Sequence, residues 1–475
     1  MIKGYRHFAI QKLATLAPKY LPFADVASED LPLRRLMRLS LFQFTVGMAL
    51  VLLVGTLNRV MIVELEVPAS LVSIMLALPL LFAPFRALIG YRSDTHRSAL
   101  GWRRIPYIWK GTLLQFGGFA IMPFALLVLS GFGEAHDAPL WIGYSAAALA
   151  FLLVGAGVHM VQTIGLALAT DLVEPQDQPN VVGLMYIMLL VGMGVSAMVF
   201  GALLENYSAG RLIQVIQGAA VTTIFVNIFA IWKQESRNRS RAIAAKPQPE
   251  FSKAWRLFIQ GEGALLRLIV IGLGTAAFGM ADVLLEPYGG QVLGLTVSET
   301  TRLTATMACG GIVGFAMASR ILSRGGDPLG MMRGGALAGV PGFAAIMLSA
   351  TWQMPTLFIM GVLLIGFGAG LFGHGTLTAT MRAAPKEQTG LALGAWGAVQ
   401  ATAAGIAIAL GGIIRDIIIN TPDADWFGSG TAYMAVFGLE IALLVLTLAV
   451  LVPLGRRGRI VQRPATAAVS IPEGS

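Results

Sequence analysis

Leu152-Leu153-Val154-Gly155-Ala156-Gly157, running on to Ala169-Thr170, returns as Leu363-Leu364-Ile365-Gly366-Phe367-Gly368, running on to Ala379-Thr380. Pro175 and Gln178 follow the first copy, and Pro385 and Gln388 follow the second 210 residues later. Both copies lie in or just after a long apolar run. Outward from them, such runs recur at 37–63, 69–90, 105–130, 140–169, 181–203, 211–232, 264–286, 300–322, 329–350, 355–380, 390–414 and 431–454. Each has about 20 residues or more, enough at 1.5 Å per residue to cross a hydrocarbon core of ~30 Å. The repeated motif falls on the fourth and tenth runs, so a six-span unit occurs twice. None of the runs shows the alternation of a membrane β-strand. The pattern predicts an all-α polytopic membrane protein with twelve transmembrane helices in two pseudo-symmetric six-helix halves. The halves are 37–232 and 264–454. They are flanked by an N-terminal segment, 1–36, a basic linker, 233–263, and a basic tail, 455–475.

Composition excludes the main competitors. The chain of 475 residues is 56% apolar and 12% charged, whereas soluble domains average about 25% charged. Its single cysteine, Cys309, rules out an internal disulfide framework. The net charge of +9 would suit nucleic acid only if the bases clustered on a soluble face. They do not. Of 34 basic residues, all but Arg59, Arg211, Arg302 and Arg415 fall at the N-terminus, in the loops after even-numbered spans, or in the tail. The positive-inside rule then places both termini in the cytoplasm. Asp171, Glu174 and Asp177 make the loop after the fourth span a local acidic exception. The first 33 residues lack the apolar core of a signal peptide, and Ile10, Leu13, Leu16 and Ala17 share one helical face suited to a membrane surface.

Charges inside spans are costly and mark functional candidates. They include Arg59 and Glu64 in the first span, Arg86 in the second, Asp282 and Glu286 in the seventh, and Glu440 in the twelfth. Asp282 and Glu286 are four residues apart and share a face. Pro68 and Pro287 place Glu64 and Glu286 at span ends, where water would reach them, leaving Asp282 and Glu440 as the deep acids. Either could serve a proton or cation, or be paired inside the membrane with no role in transport. His159 and His374 lie in equivalent spans of the two halves. His7, His96 and His136 lie outside spans. A neutral imidazole among glycines could ligate the magnesium of a chlorin, or simply hydrogen-bond across a helix pair. Zinc spacing, a phosphate loop and a hydrolase triad are all missing from the sequence, so the motifs call for no covalent reaction.

The loop after the second span carries Gly90, Asp94, Gly101, Arg103 and Arg104. It resembles the loop signature of the major facilitator superfamily, whose architecture is a parallel pair of six-span halves, but has extra residues between Asp94 and Gly101. Here it would form a cytoplasmic latch between the halves; otherwise its arginines only set topology and meet lipid headgroups.

The runs Leu39–Met48, Gly55–Leu65, Pro68–Val72, Ala83–Gly90 and Leu100–Trp109 resemble the PucC/LhaA family, the bacteriochlorophyll-delivery branch of that superfamily. The resemblance covers nearly the whole chain and is most specific over the first 110 residues. It implies an assembly factor for light-harvesting complexes, set in a bacterial inner membrane, that delivers bacteriochlorophyll or shepherds antenna polypeptides. The core antenna around the reaction centre (LhaA type) is the favoured client and the peripheral antenna (PucC type) the alternative. It also implies bacteriochlorophyll as cargo or bound pigment, and antenna polypeptides, pigment-synthesis enzymes, the reaction centre and lipids as partners, with no nucleic acid. The competing reading is a proton-coupled transporter of a small hydrophobic or amphipathic solute.

Overall fold

The computed structural model describes residues 33–81, 93, 102–131, 135, 137–174, 178–235, 263–383, 389–421 and 430–461. Twelve helices account for nearly all of them. The first half contains α1 (Leu33–Glu64), α2 (Ala69–Leu81), α3 (Ile105–Ser130), α4 (Leu140–Asp171), α5 (Gln178–Leu203) and α6 (Ala209–Ile231). The second contains α7 (Ala264–Gln291), α8 (Val297–Ser323), α9 (Pro328–Trp352), α10 (Pro355–Ala383), α11 (Thr389–Ile419) and α12 (Thr431–Val461). Among the described residues eleven helices are long and apolar enough to span a bilayer, and α2 is a shorter apolar helix. The protein is therefore a multi-pass membrane protein of the expected plan. Most of the N-terminal segment, the linker and the tail lie outside the described residues.

Glycine sets how closely these helices approach. Without a hydrophobic drive between helices in lipid, small residues allow the contact that holds them. In the first half, a side chain at Gly157 of α4 would strike the Gln115 amide nitrogen of α3 at 2.7 Å. At the equivalent place in the second half, Gly335 of α9 faces the Gly368 carbonyl of α10 at 2.5 Å. The glycine-rich stretch of α10 is filled by neighbouring helices. Gly366 meets the Met307 backbone and Gly370 the Gly311 carbonyl, while a side chain at Gly373 would enter open space. The stretch therefore leaves room for a flat ring at none of these sites except Gly373.

Across the halves, α1 packs on α7 and α8, α2 on α11, and α5 on α8. The α2–α11 and α5–α8 pairs exchange places under the pseudo-two-fold axis.

α7 is discontinuous. It is α-helical to Gly279, forms a 3₁₀ turn over Ala281–Val283 and resumes over Leu285–Gln291. Pro287 explains the break, since it has no N–H for the Val283 carbonyl four residues earlier and its ring crowds that carbonyl. The sequence reading ended this span at residue 286; the proline interrupts the helix instead of ending it. α1 is wound as π-helix over Val51–Leu57 and Val60–Glu64. Such wide turns free backbone groups and concentrate at functional positions.

Candidate functional site

The break in α7 faces the wide turns of α1, and polar side chains of α1 and α12 repair it. Asn58 donates through Nδ2 to the orphaned Val283 carbonyl at 2.7 Å. Glu440 of α12 accepts the freed Ala281 N–H at 2.6 Å and is fully buried. Its other oxygen, Oε2, has no partner. Glu440 thus caps the broken helix, while the break itself aims the next acid elsewhere.

That acid is Asp282. It has no hydrogen-bond partner among the described residues, and its side chain lines two adjoining cavities. The larger, about 290 Å³, lies between α5 and the helices α7, α8, α10 and α11. Its wall is almost wholly apolar and aromatic. Tyr186, Phe315 and Trp396 gather at one end, with Tyr186 stacked on Phe315 and edge-on to Trp396, ring centroids 6.4 Å apart in both pairs. Asp282 stands toward the other end, and Thr275 and Gln400 complete the polar wall. The smaller cavity, about 130 Å³, also holds Glu286 and Thr304.

Glu286 corrects the sequence reading, which left it wet at a span end. It is only 4% exposed. It accepts from the Thr304 hydroxyl at 2.6 Å, and its second oxygen has no partner. The continuation of α7 past Pro287 is what buries it. Arg59 is buried too. It pairs with the more exposed Glu64 and donates through Nη2 to the Leu295 carbonyl at 3.1 Å. Gly290 lets the chain of α7 pass close to the guanidinium, 3.0 Å from where a side chain would begin.

The two histidines are not brought together. His374 is buried against Phe315, with ring centroids 4.2 Å apart, and its Nδ1 is unpartnered. Phe315 stands between it and the main cavity. His159 is half-buried with an unpartnered Nδ1 and lines neither cavity.

At the basic end, Arg86, Gly90, Asp94 and Gly101 lie outside the described residues. Arg103 and Arg104 make their described contacts within the first half. Both reach Asp171 at the end of α4, at 2.6 Å and 3.0 Å, and Arg104 also donates to Ser93 at 2.6 Å. The carboxylate of Glu235, just after α6, accepts the backbone N–H groups of Arg103, Arg104 and Ile105 at 2.8–3.1 Å. A negative charge thus closes the N-terminus of α3, where orphan donors and the helix dipole favour it. These contacts tie the first half to itself.

The sequence reading missed Asn58, Glu235 and Asp416. Asp416 accepts the Ser70 N–H of α2 at 2.7 Å and is paired with Arg415 at 2.7 Å. A polar residue inside an apolar run was the available signal for Asn58. Asp416 lies beyond the span drawn for α11, and nothing local marks Glu235 as a cap for a helix 130 residues earlier.

Comparison with known proteins agrees with this architecture. The family model described as "PUCC protein" matches residues 56–459. "Protein PucC" of Cereibacter sphaeroides is 62% identical over 95% of this chain and 99% of its own length. "Protein PucC" of Rhodovulum sulfidophilum is 66% identical over 86% of this chain and 91% of its own. An "Uncharacterized protein in puhA-bchM intergenic region" of Rhodobacter capsulatus is 49% identical over 94% of each. Among solved structures, a peptide transporter in complex with alafosfalin matches at TM-score 0.63 with 14% identity, covering 90% of this chain and 95% of its own. The nucleoside transporter NupG matches at TM-score 0.59 with 15% identity, covering 88% and 98%. At such identities the likeness is one of fold, the major facilitator fold.

Proposed function

The chain belongs to the PUCC protein family, and from that premise we propose that it is an assembly factor for bacterial light-harvesting complexes, handling bacteriochlorophyll or antenna polypeptides as they are brought together. The observation that carries this reading is the wall of the central cavity. A transporter of polar solutes needs converging hydrogen-bonding groups, whereas this wall is aromatic and aliphatic around a single unpartnered carboxyl. It suits an apolar client in an apolar solvent.

The greater identity to relatives called PucC than to the intergenic-region relative moves the preferred client from the core antenna to the peripheral one. In this reading the basic end faces the cytoplasm, as the loop arginines and lysines dictate, and the protein acts as a chaperone and not as an enzyme. His159 and His374 remain candidate pigment ligands through their unpartnered nitrogens.

A deletion strain tests the role. The expected result is loss of the peripheral antenna's absorption band with pigment synthesis retained; an unchanged spectrum overturns the proposal. The double variant His159→Asn and His374→Asn tests ligation, and antenna assembly at the parental level would remove these histidines from the mechanism. The transporter fold and the cavity-facing Asp282 favour a second reading, proton-linked movement of an amphipathic solute. Reconstituted vesicles with no proton-linked flux would exclude it.

A further inference from the structure

In the first half α5 and α6 scarcely touch, although their counterparts α11 and α12 pack together, and α1 lies beneath the gap. The gap is a groove on the outside of the bundle. Phe44 and Met48 of α1 form its floor. Val195, Val199 and Leu203 of α5 form one wall, each nearly half exposed, so the groove opens to the surrounding lipid. α6 forms the other wall, where Gly218 leaves open space.

The chemistry along the groove is ordered. Arg211 lines it near the start of α6, at the end of the bundle away from the basic loops. It is one of four bases that the cytoplasmic bias does not explain. Ser208 accepts its backbone N–H at 3.1 Å, but the side chain is exposed. Neither Glu205, in the connection before α6, nor any other described acid pairs with it. Gln214, an exposed amide, stands one turn or ~4.5 Å deeper. Apolar lining follows with Val215 and Ala219. The lining on α6 ends at Thr222, eleven residues or ~16 Å past Arg211, about half of a hydrocarbon core of ~30 Å. A cation, then an amide donor, then an apolar trough one leaflet deep match the phosphate, ester carbonyl and acyl chain of a phospholipid. A spanning helix of a partner would meet α6 over its whole length, yet the exposed Phe225, Phe229 and Trp232 lie beyond the groove. No acid lines the groove, so an ammonium headgroup finds no counterpart there.

We propose that the groove between α5 and α6 binds an anionic phospholipid of that leaflet, its phosphate on Arg211, a glycerol ester at Gln214 and one acyl chain in the trough. The lipid fills the gap behind α5 where α5 bears on the other half, since Ser298 of α8 donates to the Gly201 carbonyl at 2.7 Å. This goes beyond the assembly role and does not depend on it.

The test is native mass spectrometry of the delipidated full-length protein in detergent. The probe is phosphatidylglycerol, and the control is phosphatidylethanolamine with the same chains. The first phosphatidylglycerol should bind at least fivefold more tightly than the first phosphatidylethanolamine. Arg211→Gln should remove that preference. Gly218→Leu puts a side chain into open space within the trough, so it should fold normally, by size-exclusion profile and melting curve, and weaken phosphatidylglycerol binding at least fivefold. Gly210→Leu, also in open space on α6 but outside the groove, should bind as the parent does. Equal affinity for the two lipids in the parent overturns the proposal, as does an equal loss in Gly210→Leu. Parental binding by Arg211→Gln or by folded Gly218→Leu also overturns it, leaving the lipid on the basic loops. The antenna band of the deletion strain reports on the assembly role alone, so the two ideas fail separately.

Discussion

The two ends of the bundle are fastened differently. At the end away from the basic loops, six hydrogen bonds among the described residues cross between the halves. Asn58 reaches Val283, Thr56 meets Thr301, Arg59 reaches Leu295, Ser70 donates to Asp416, Ser73 reaches Ala409, and Ser298 donates to the Gly201 carbonyl. At the basic end, the following arginine contacts among the described residues stay within a half. Arg35 holds Gln234, Arg103 and Arg104 hold Asp171, Arg333 reaches Leu451, and Arg382 reaches Leu322 and Gly326. One end is a seam between two bodies, and the other is two separately braced rims. Between them, the aromatic end of the cavity lies nearer the basic rims and Asp282 nearer the seam. The difference teaches where motion costs most. Parting the halves at the seam breaks buried hydrogen bonds, whereas the rims keep their arginine contacts when the halves part.

Breaking the seam sterically should have the largest effect. A side chain at Gly412 of α11 would collide with Ser73 and sit 2.6 Å from the Ala69 carbonyl of α2. Gly412→Val should cost about 3 kcal/mol or more, since packed backbone cannot yield, seen as a lower melting temperature in detergent. Gly397→Ala, on the same helix but in open space, should be neutral. Next comes Arg59→Met, expected to cost about 2–3 kcal/mol. It removes a buried cation that joins α1 to the α7–α8 connection, at a discount from the 3–5 kcal/mol of a fully buried pair because Glu64 is partly exposed.

Asn58→Leu leaves the Val283 carbonyl unsatisfied and should cost about 1–3 kcal/mol. It should also shift the spin-label distance between α1 and α7 towards a parted state, measured after replacing the exposed Cys309. A distance distribution unchanged from the parent would mean that this bond does not hold the seam. At the rim, Glu235→Gln should cost about 1 kcal/mol, the worth of a helix cap, without moving the labels. Smallest is Arg103→Ala, whose pair with Asp171 is over a third exposed on each side; it should change the melting free energy by less than about 1 kcal/mol. A rim variant that parts the seam labels would overturn the comparison.

Much of this was legible in the residues. Hydropathy marked every helix, because a bilayer imposes span length locally. The bias of arginine and lysine distinguished the two ends. Arg59, Asp282, Glu286 and Glu440 stood out as charges within apolar runs. The candidate site was less legible. Glu286 read as wet because Pro287 looked like a terminus, and only the packing of α1 against the broken α7 shows the helix continuing. Arg103 and Arg104 read as part of a latch loop; their described partners, Asp171 for the side chains and Glu235 for the backbone N–H groups, are selected by helix packing and not by local spacing.

By itself, then, the sequence determined the apolar spans, their duplication, the basic bias of one set of loops and which spans carry charges. These follow from hydropathy and charge counted over a few turns of helix. Tertiary structure alone decided which acid caps and which faces a cavity. Asp282 and Glu440 are alike in the sequence, each an acid deep in an apolar span. Only the folded chain brings Glu440 to the N–H freed by the break in α7 and leaves Asp282 facing the cavity. Partners 159 residues apart are selected by helix packing, which no local pattern encodes.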